Sequence, residues 1–263
     1  MTEQFASAFK PLALWIAALL LIVIGWQLIV TVSGLPAYVL PPPAVAWNAL
    51  YATWPLLSTL TVQTLQETAY GYIVGALLGF VLAILMGQSR LVQQLIMPAL
   101  ITSQAVPVVA IAAPLVIIFG FGLVPKLIIV AWIVFFPVVV NVLDGLASID
   151  RDTLNLARLM GGGPLRTFFV VKLPACIGPL FSGLKIGASY AVTGAVIGEW
   201  SASSNQGLGT YLLSANAQMN TAGVYAAMLL LTAIGVGSFL LVLGLERLAT
   251  PWRVHSVVPS WLR

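Results

Sequence analysis

Six apolar runs constrain the fold of this 263-residue chain more than any other feature. Each holds about 20 mainly apolar residues, the length that a helix needs to cross the hydrocarbon core of a bilayer. The runs occupy residues 12–32, 65–87, 95–119, 124–146, 176–198 and 223–245. Only 7% of all residues are charged, whereas about 25% are charged in a typical soluble domain. The sequence therefore predicts an all-α integral membrane protein with six transmembrane helices.

The third run contains three prolines, Pro98, Pro107 and Pro114. Proline lacks the N–H group that a helix uses and its ring clashes with the preceding turn, so we expect the third span to be kinked or broken. Broken helices occur in membranes only where protein or a water-filled cavity satisfies the freed carbonyl groups. The third span is therefore a candidate element of a pore or a subunit interface.

Basic residues are distributed unequally between the segments that join the spans. If the N-terminus is cytoplasmic, nine of them lie on the inner side: Lys10, Arg90, Arg151, Arg158, Arg166, Lys172, Arg247, Arg253 and Arg263. The outer side keeps only Lys126, while Lys185 lies within the fifth run. Cytoplasmic segments of membrane proteins carry an excess of Lys and Arg. Both termini and the segment 150–174 are thus predicted to be cytoplasmic, and the formal charge of +4 reflects orientation rather than nucleic-acid binding.

Two segments are then expected on the outer side. Residues 33–60 include three consecutive prolines, 41–43, which favour an extended stretch before a predicted surface helix. That helix carries aromatic residues of the kind found at membrane–water interfaces, Trp47, Tyr51 and Trp54. Residues 199–222 are rich in Ser, Asn and Gln around the apolar patch 208–213. This second segment predicts a re-entrant or interfacial helix that lines an outer vestibule.

Several catalytic and metal-binding arrangements are missing from the sequence. There is no G-x-x-x-x-G-K-[ST] phosphate-binding loop, so the chain cannot hydrolyse nucleotides by that route. The only histidine is His255, the only cysteine is Cys176, and no cluster of ligand-type residues has the spacing of a metal site. No serine belongs to a recognisable catalytic arrangement. We therefore expect no enzymatic activity, no catalytic residue, no metal site and no cofactor.

The segment 150–174 is the one long polar interruption of this apolar chain. Apolar side chains at helical spacing predict a helix over residues 153–160. Three glycines, 161–163, are expected to end it, and a second helix over 165–173 is expected to stop at Pro174. This second helix would present four residues on one face: Leu165, Phe168, Phe169 and Lys172. A short amphipathic helix with an aromatic ridge is typical of a docking surface.

Seven residues of this segment have a recognisable spacing: Asn155, Leu156, Ala157, Gly161, Val171, Leu173 and Pro174. The pattern resembles the EAA signature of the permease subunits of bacterial ABC importers. That signature reads acidic residue, Ala, Ala, three residues, Gly, nine residues, Ile, one residue, Leu, Pro. The spacing matches throughout, although Asn155 stands in place of the usual acid and Leu156 in place of the first alanine. Any salt bridge that the acid would make to an ATP-binding subunit is therefore missing here.

The resemblance extends over about residues 67–251 and implies a type I ABC importer permease with the MetI-like fold. It implies a single transmembrane permease domain, 1–263, with its core at about 65–250 and a coupling loop at 150–174. In this family a coupling helix, here 163–173, inserts into a groove on the ATP-binding subunit. The residues expected to couple to the ATPase are Asn155, Ala157, Gly161, Gly163, Arg166, Phe168, Phe169, Lys172, Leu173 and Pro174.

The function implied by the resemblance is that of a transmembrane permease subunit of an ATP-driven importer in a bacterial plasma (inner) membrane. The implied partners are a second copy of the chain, ATP-binding subunits, an extracytoplasmic substrate-binding protein and the lipid bilayer. A stand-alone secondary transporter or channel is the main alternative, for which inverted repeats would be expected and none is evident. A membrane scaffold is a third interpretation, which the prolines of the third run argue against.

Polar side chains inside apolar runs are costly in a bilayer and usually face other helices or a cavity. The candidate translocation path consists of Gln104, Tyr190, Thr193, Glu199 and Trp200. A hydrogen bond between helices is an equally good interpretation for Tyr190, Thr193 and Glu199, and it is the favoured one for Glu67, Asp144 and Lys185. A stripe of small residues on the fifth run would allow close helix approach: Gly183, Gly187, Ala191, Gly194 and Gly198.

Two outer motifs bear on the substrate. They are Leu-Pro-Pro-Pro-x-x-x-Trp at residues 40–47, and Gly-Glu-Trp followed by Gly-Leu-Gly within residues 198–209. Both are similar to the branch of the family that serves nitrate, aliphatic sulfonates, taurine and thiamine-precursor pyrimidines. The Glu-Trp pair favours an aromatic heterocycle, such as a pyrimidine or a flavin precursor.

Overall fold

The computed structural model describes residues 2–202 and 207–251, with side chains from residue 17 onward. These residues form helices and short connections with no strand among them, so the predicted all-α class is confirmed. Three residues named above lie outside the described ranges: Arg253, His255 and Arg263.

The helices of the described ranges are numbered in chain order. They are α1 (Thr2–Ser33), α2 (Pro43–Ala52), α3 (Trp54–Gln88), α4 (Arg90–Ala105), α5 (Val108–Phe119), α6 (Leu123–Ala147), α7 (Arg151–Leu159), α8 (Pro164–Thr167), α9 (Leu173–Ala202), α10 (Leu208–Ala217) and α11 (Thr221–Ala249). A π-helical turn, Phe168–Lys172, joins α8 to α9 without interruption.

Four helical segments of the described ranges are long and apolar enough to cross a membrane. They are α3, α6, the continuous helix Pro164–Ala202, and α11. The bent pair of α4 and α5 is a fifth if it is taken as one span. In α1, the residues with described side chains include a shorter apolar helix, Ala17–Ser33. This arrangement is consistent with the six spans predicted from the sequence.

The predicted break in the third apolar run is confirmed and lies at Pro107. Helix α4 ends before this proline and α5 begins after it. The bend between the two helices is 95°. Val106 has extended backbone, with φ −76° and ψ 121°, because a proline disfavours the helical conformation of the residue before it. Pro98 and Pro114 lie inside α4 and α5. Only one of the three prolines therefore breaks the helix.

Helix α6 lies at the centre of the packed bundle, between α3 and α9. The face of α3 that meets α6 carries glycines four residues apart, Gly71, Gly75 and Gly79. A Cβ atom at Gly75 would lie 2.7 Å from the carbonyl oxygen of Ala131, and one at Gly79 would lie 2.6 Å from that of Phe135. Larger residues do not fit at these distances. The two backbones therefore approach closely, as is common for helices packed in a membrane.

The small residues predicted on the fifth run form the other side of this packing. A Cβ at Gly183 would lie 2.8 Å from the carbonyl oxygen of Pro137, and one at Gly194 would lie 3.0 Å from the Cα of Val130. The other members of the stripe are also buried: Gly187, Ala191 and Gly198. The predicted close approach of α9 to a neighbouring helix is therefore confirmed.

Pro174 does not stop the helix of the loop, so that prediction is wrong. It is the second residue of α9, and the helix runs continuously from Pro164 to Ala202. In the π-helical turn before it, the N–H of Leu173 donates to the carbonyl of Phe168, five residues back. The π-helical turn, whose hydrogen bonds reach five residues back, lies just before the proline, which has no N–H to donate. The predicted fifth span, 176–198, is thus the apolar part of a longer helix.

The predicted surface helix after the three prolines is confirmed as α2. Trp47 and Tyr51 of α2 are exposed, while Ala46 and Leu50 are buried. Trp54 is exposed as well, but it begins α3 and is not part of the predicted helix. The buried side packs against α11.

Candidate functional site

The loop 150–174 begins with α7, whose two ends are satisfied locally. The Asp150 carboxylate accepts a hydrogen bond from the N–H of Asp152 at 3.2 Å, which caps the first turn. At the other end, the N–H of Gly162 donates to the carbonyl of Ala157 and that of Gly161 to Arg158. These two bonds define a Schellman motif. The Ala157-to-Gly161 spacing of the sequence signature is therefore the spacing of a helix end.

Two of the three glycines are needed for this helix end. Gly161 has a left-handed backbone with φ +78°, which favours glycine because a Cβ is crowded there. At Gly162, a Cβ would lie 2.5 Å from the carbonyl oxygen of Ala157. Gly163 has open space around it and φ −67°. The predicted glycine break is confirmed, and glycine is required at its first two positions, Gly161 and Gly162.

The loop exposes six large apolar side chains within 15 residues of sequence. We call the loop apolar surface the exposed residues Leu156, Leu159, Met160, Leu165, Phe169 and Val170. Phe168 and Phe169 meet edge to face with ring centroids 5.2 Å apart, and Phe169 is 60% exposed. A cavity of about 270 Å³ separates α7 from the helix that follows it. Exposed apolar surface of this kind marks an interaction site.

The predicted coupling residues divide into two groups by exposure. The exposed ones are Asn155, Gly161, Gly163, Arg166, Phe169 and Pro174. The half-buried ones are Ala157, Phe168, Lys172 and Leu173. The loop fold thus brings all ten into one short segment of the described chain, with Arg166 and Lys172 as the basic residues beside the loop apolar surface.

A buried ion pair connects α3 to α6. The ammonium of Lys126 lies 2.6 Å from a carboxylate oxygen of Glu67, and the side chains are 4% and 0% exposed. Gln63 donates to the same carboxylate at 3.3 Å. The favoured interpretation of Glu67 as an interhelical hydrogen-bonding residue agrees with this geometry. Lys126, predicted as a basic residue of the outer side, is buried and paired rather than solvated.

A second buried carboxylate, Glu199, holds the start of α10. One oxygen accepts from the hydroxyl of Thr64 at 2.5 Å, and the other accepts from the N–H of Gly209 at 2.6 Å. The second oxygen also accepts from the N–H of Thr210 at 3.3 Å. The hydroxyl of Thr64 in turn accepts from the N–H of Leu208 at 2.9 Å. Thus α3, α9 and α10 meet at one fully buried carboxylate.

The glycines next to this carboxylate are required by its position. Gly207 has φ +125°, and a Cβ there would collide with the carboxyl group of Glu199. A Cβ at Gly209 would lie 2.9 Å from the same group. The indole N–H of Trp200 donates to the carbonyl of Gly209 at 2.9 Å. The sequence motif that joins Glu199 and Trp200 to these glycines therefore describes one hydrogen-bonded cluster.

A third interhelical pair joins Lys185 of α9 to Glu246 of α11 at 2.7 Å. This agrees with the favoured interpretation of Lys185. Asp144 differs, because it is exposed near the end of α6 and makes no side-chain hydrogen bond within the described residues. Sequence reasoning missed Thr64 and Glu246. The signal for Glu246 was available, since an intramembrane lysine needs an acidic partner and α11 contains one acid.

The candidate translocation residues occupy three different environments. Thr193 and Trp200 line a groove of about 700 Å³ between α9 and α11, together with Ser189, Thr232 and Phe239. Tyr190 is exposed on the same helix. Gln104 is exposed near the end of α4, beside the break at Pro107. Glu199 has no exposed surface. The structure therefore brings Thr193 and Trp200 to one groove and leaves Gln104 and Glu199 outside it.

A family model described as binding-protein-dependent transport system inner membrane component matches residues 75–253. A probable ABC transporter permease protein of Haemophilus influenzae is 38% identical, with 86% of this chain and 91% of the relative covered. A riboflavin transport system permease protein of Chloroflexus aurantiacus is 33% identical, with 89% of this chain and 88% of the relative covered. A formylaminopyrimidine transport permease protein of Halalkalibacterium halodurans is 31% identical, with 89% of this chain and 93% of the relative covered.

Proposed function

This chain belongs to the family of binding-protein-dependent transport system inner membrane components, and we propose that two copies of it enclose the pore of an ATP-driven importer. It is the permease subunit of an ABC importer, with transmembrane helices, and is not itself the catalyst. In the proposal, separate ATP-binding subunits hydrolyse ATP and a substrate-binding protein delivers the solute. The whole chain, 1–263, acts as one permease domain with a core at about 65–250.

The single observation that carries the proposed coupling is the loop apolar surface on a helix that continues into the bundle. Leu165 and Phe169 are 76% and 60% exposed, and both precede α9 in one continuous helix. Buried aromatic anchors dominate the energetics of protein interfaces, so Phe169 is the expected anchor in a groove of the ATP-binding subunit. Arg166 and Lys172 would steer docking through their charge.

The exposed side of α9 supports a pore formed between two copies. Its hydroxyl and aromatic side chains, Tyr190, Thr193 and Trp200, lie on the surface of the single chain. Polar groups on a transmembrane helix are costly against lipid and are expected to face protein or water. A second copy that covers this face would place these side chains along an enclosed path.

The proposed orientation has both termini and the loop 150–174 in the cytoplasm of a bacterium, with the chain in its inner membrane. It rests on the excess of Lys and Arg in the segments assigned to the inner side. Lys126, the basic residue of the opposite side, is paired with Glu67.

The groove between α9 and α11 favours an uncharged aromatic substrate. Its lining residues include hydroxyl and aromatic side chains and no charged one. Lys126 and Lys185 are each paired with a carboxylate, so neither offers a free cation to an anionic solute. Sites for small molecules generally combine apolar walls with a few polar groups, and an apolar lining suits an uncharged ring better than an unpaired anion. A pyrimidine or flavin precursor is therefore favoured over nitrate, a sulfonate or taurine.

Affinity purification from native membranes tests the importer assignment. The tagged chain should recover an ATP-binding subunit and a substrate-binding protein, identified by mass spectrometry. The recovered complex, reconstituted in liposomes, should accumulate a radiolabelled aminopyrimidine or riboflavin only with ATP, and should not accumulate taurine. Uptake that proceeds without any ATP-binding subunit would instead support a stand-alone transporter, and ATP-dependent taurine uptake would contradict the substrate assignment alone.

A further inference from the structure

We propose that α9 and α10 move as one rigid unit, and that Glu199 is the positioning residue that makes them one. Motion produced at the loop 150–174 by the ATP-binding subunit would then reach α10 at the other end of α9. This inference rests on the proposed docking of an ATPase at the loop, and it assigns to a buried carboxylate a role in coupling rather than in the translocation path.

The first step is the continuity of the helix. Phe169, the expected docking anchor, and Glu199 belong to one uninterrupted helical segment, Pro164–Ala202, of 39 residues. At a rise of 1.5 Å per residue such a helix is roughly 58 Å long, enough to cross a bilayer. Its close packing against α6 through Gly183 and Gly194 keeps it within the bundle. A displacement of its first turn is therefore carried toward its last turn.

The second step is the attachment of α10. The first N–H groups of a helix have no partner inside that helix and carry a partial positive charge. Here the carboxylate of Glu199 accepts from two of them, at Gly209 and Thr210. A carboxylate at a helix N-terminus is favourable, and more so where water is excluded. The N-terminus of α10 is thus bound to the last turns of α9.

The third step is that the attachment has more than one point. The indole N–H of Trp200 reaches the carbonyl of Gly209, which is one of the residues bound by Glu199. Thr64 of α3 donates to Glu199 and accepts from Leu208. Residues 203–206, which join α9 to α10, lie outside the described ranges. Several hydrogen bonds from two directions fix the orientation of α10, which a covalent link alone would not do.

The surface carried by this unit faces away from the bundle. Helix α10 exposes Leu213, Ser214, Asn216 and Ala217, and the turn after it exposes Met219, which is 85% exposed. A helix held at the far end of α9 would therefore change its position whenever the loop is displaced.

Distances between spin labels test the proposal in the full importer. The only cysteine is buried, so Cys176→Ala provides a background for labels at Ser214→Cys on α10 and, separately, at Asp152→Cys on α7. Pulsed electron paramagnetic resonance then measures the distance between the labels on the two copies, with and without ADP and vanadate trapped on the ATP-binding subunits. The distances measured with the α7 label and with the α10 label should both change when the nucleotide is trapped. In Glu199→Ala, the shift at α10 should be lost while the shift at α7 remains.

The variants separate attachment from folding. Glu199→Gln keeps an acceptor oxygen for Gly209 and should retain most of the α10 shift. Should Glu199→Ala fail to assemble, Thr64→Val removes one attachment with little change of shape. Trp200→Phe removes a second, the indole N–H bond to Gly209, and leaves a smaller ring. Together they should reduce the α10 shift. An unchanged α10 shift in Glu199→Ala, or in the double variant, would overturn the rigid unit.

The two proposals fail in different ways. If the unmodified importer shows a shift at α7 and none at α10, the rigid unit is wrong and the docking proposal stands. If neither label shifts while ATP is bound and hydrolysed, the docking of the ATPase at this loop is wrong, and the rigid unit fails with it.

Discussion

The ammonium of Lys126 lies 2.6 Å from the carboxylate of Glu67, although the two residues are 59 positions apart in the chain. Both side chains are buried. The pair fixes α6 against α3 next to the glycine stripe of α3. The second carboxylate oxygen of Glu67 has no hydrogen-bond partner within the described residues. A buried pair that is not fully hydrogen-bonded is expected to contribute more to specificity of packing than to net stability.

Removing one member of this pair should destabilise the protein far more than removing both. Glu67→Ala leaves the lysine buried and uncompensated, and we expect a loss of about 3–5 kcal/mol in the free energy of unfolding. Glu67→Met with Lys126→Met replaces both by apolar side chains and should cost much less. Chemical unfolding in detergent micelles measures both. Equal losses in the single and double variants would contradict this account of the pair.

Disrupting the loop apolar surface should abolish transport without preventing membrane insertion. Phe169→Asp places a charge at the expected anchor, so ATP-dependent uptake and recovery of the ATP-binding subunit should both be lost. Phe121→Asp is a matched control, because Phe121 is also exposed (73%) but lies in the turn between α5 and α6. It should retain the ATP-binding subunit. Recovery of that subunit with Phe169→Asp would remove Phe169 from the interface.

Gly161→Asp should also abolish uptake, since it places a negative charge on the loop beside the proposed docking surface. Gly161→Ala tests the backbone alone: a non-glycine residue there costs about 1–2 kcal/mol. Hydrogen exchange of residues 151–163 should show lower protection of the α7 end in Gly161→Ala. Gly163→Ala, where φ is −67° and nothing lies within 4 Å, should leave that protection unchanged. The same exchange pattern in both variants would argue against the Schellman motif.

The glycine stripe of α3 should not tolerate a side chain. Gly75→Leu would force α3 away from α6, because even a Cβ at this position lies 2.7 Å from a backbone oxygen. Overpacking of this kind costs about 1–3 kcal/mol or more, so the thermal unfolding temperature should fall by several degrees. Gly237→Leu on α11 is the control, since no atom lies within 4 Å of its Cβ position. A similar loss in both variants would show that the close approach of α3 and α6 is not the cause.

Local sequence patterns were sufficient to predict the apolar helices and the helix end at Gly161. Apolar runs predict spans because the requirement for about 20 apolar residues acts on each run separately. The spacing from Ala157 to Gly161 predicts a helix end because the Schellman bonds join residues that are close in the chain. The small-residue stripe of α9 likewise predicts a close approach, although not the helix that it meets.

Only the tertiary structure decided which distant residues pair and where the proline rules fail. Glu67 with Lys126, Lys185 with Glu246, and Glu199 with Thr64 join residues on different helices, and the register of helix packing that sets these distances is not written in any one segment. Pro107 breaks a helix and Pro174 does not, and the continuous helix at Pro174 follows a π-helical turn. Hydropathy and helix-end rules act over one turn to one span, whereas the free energy of burying a charge depends on the partner that packing brings within hydrogen-bond distance.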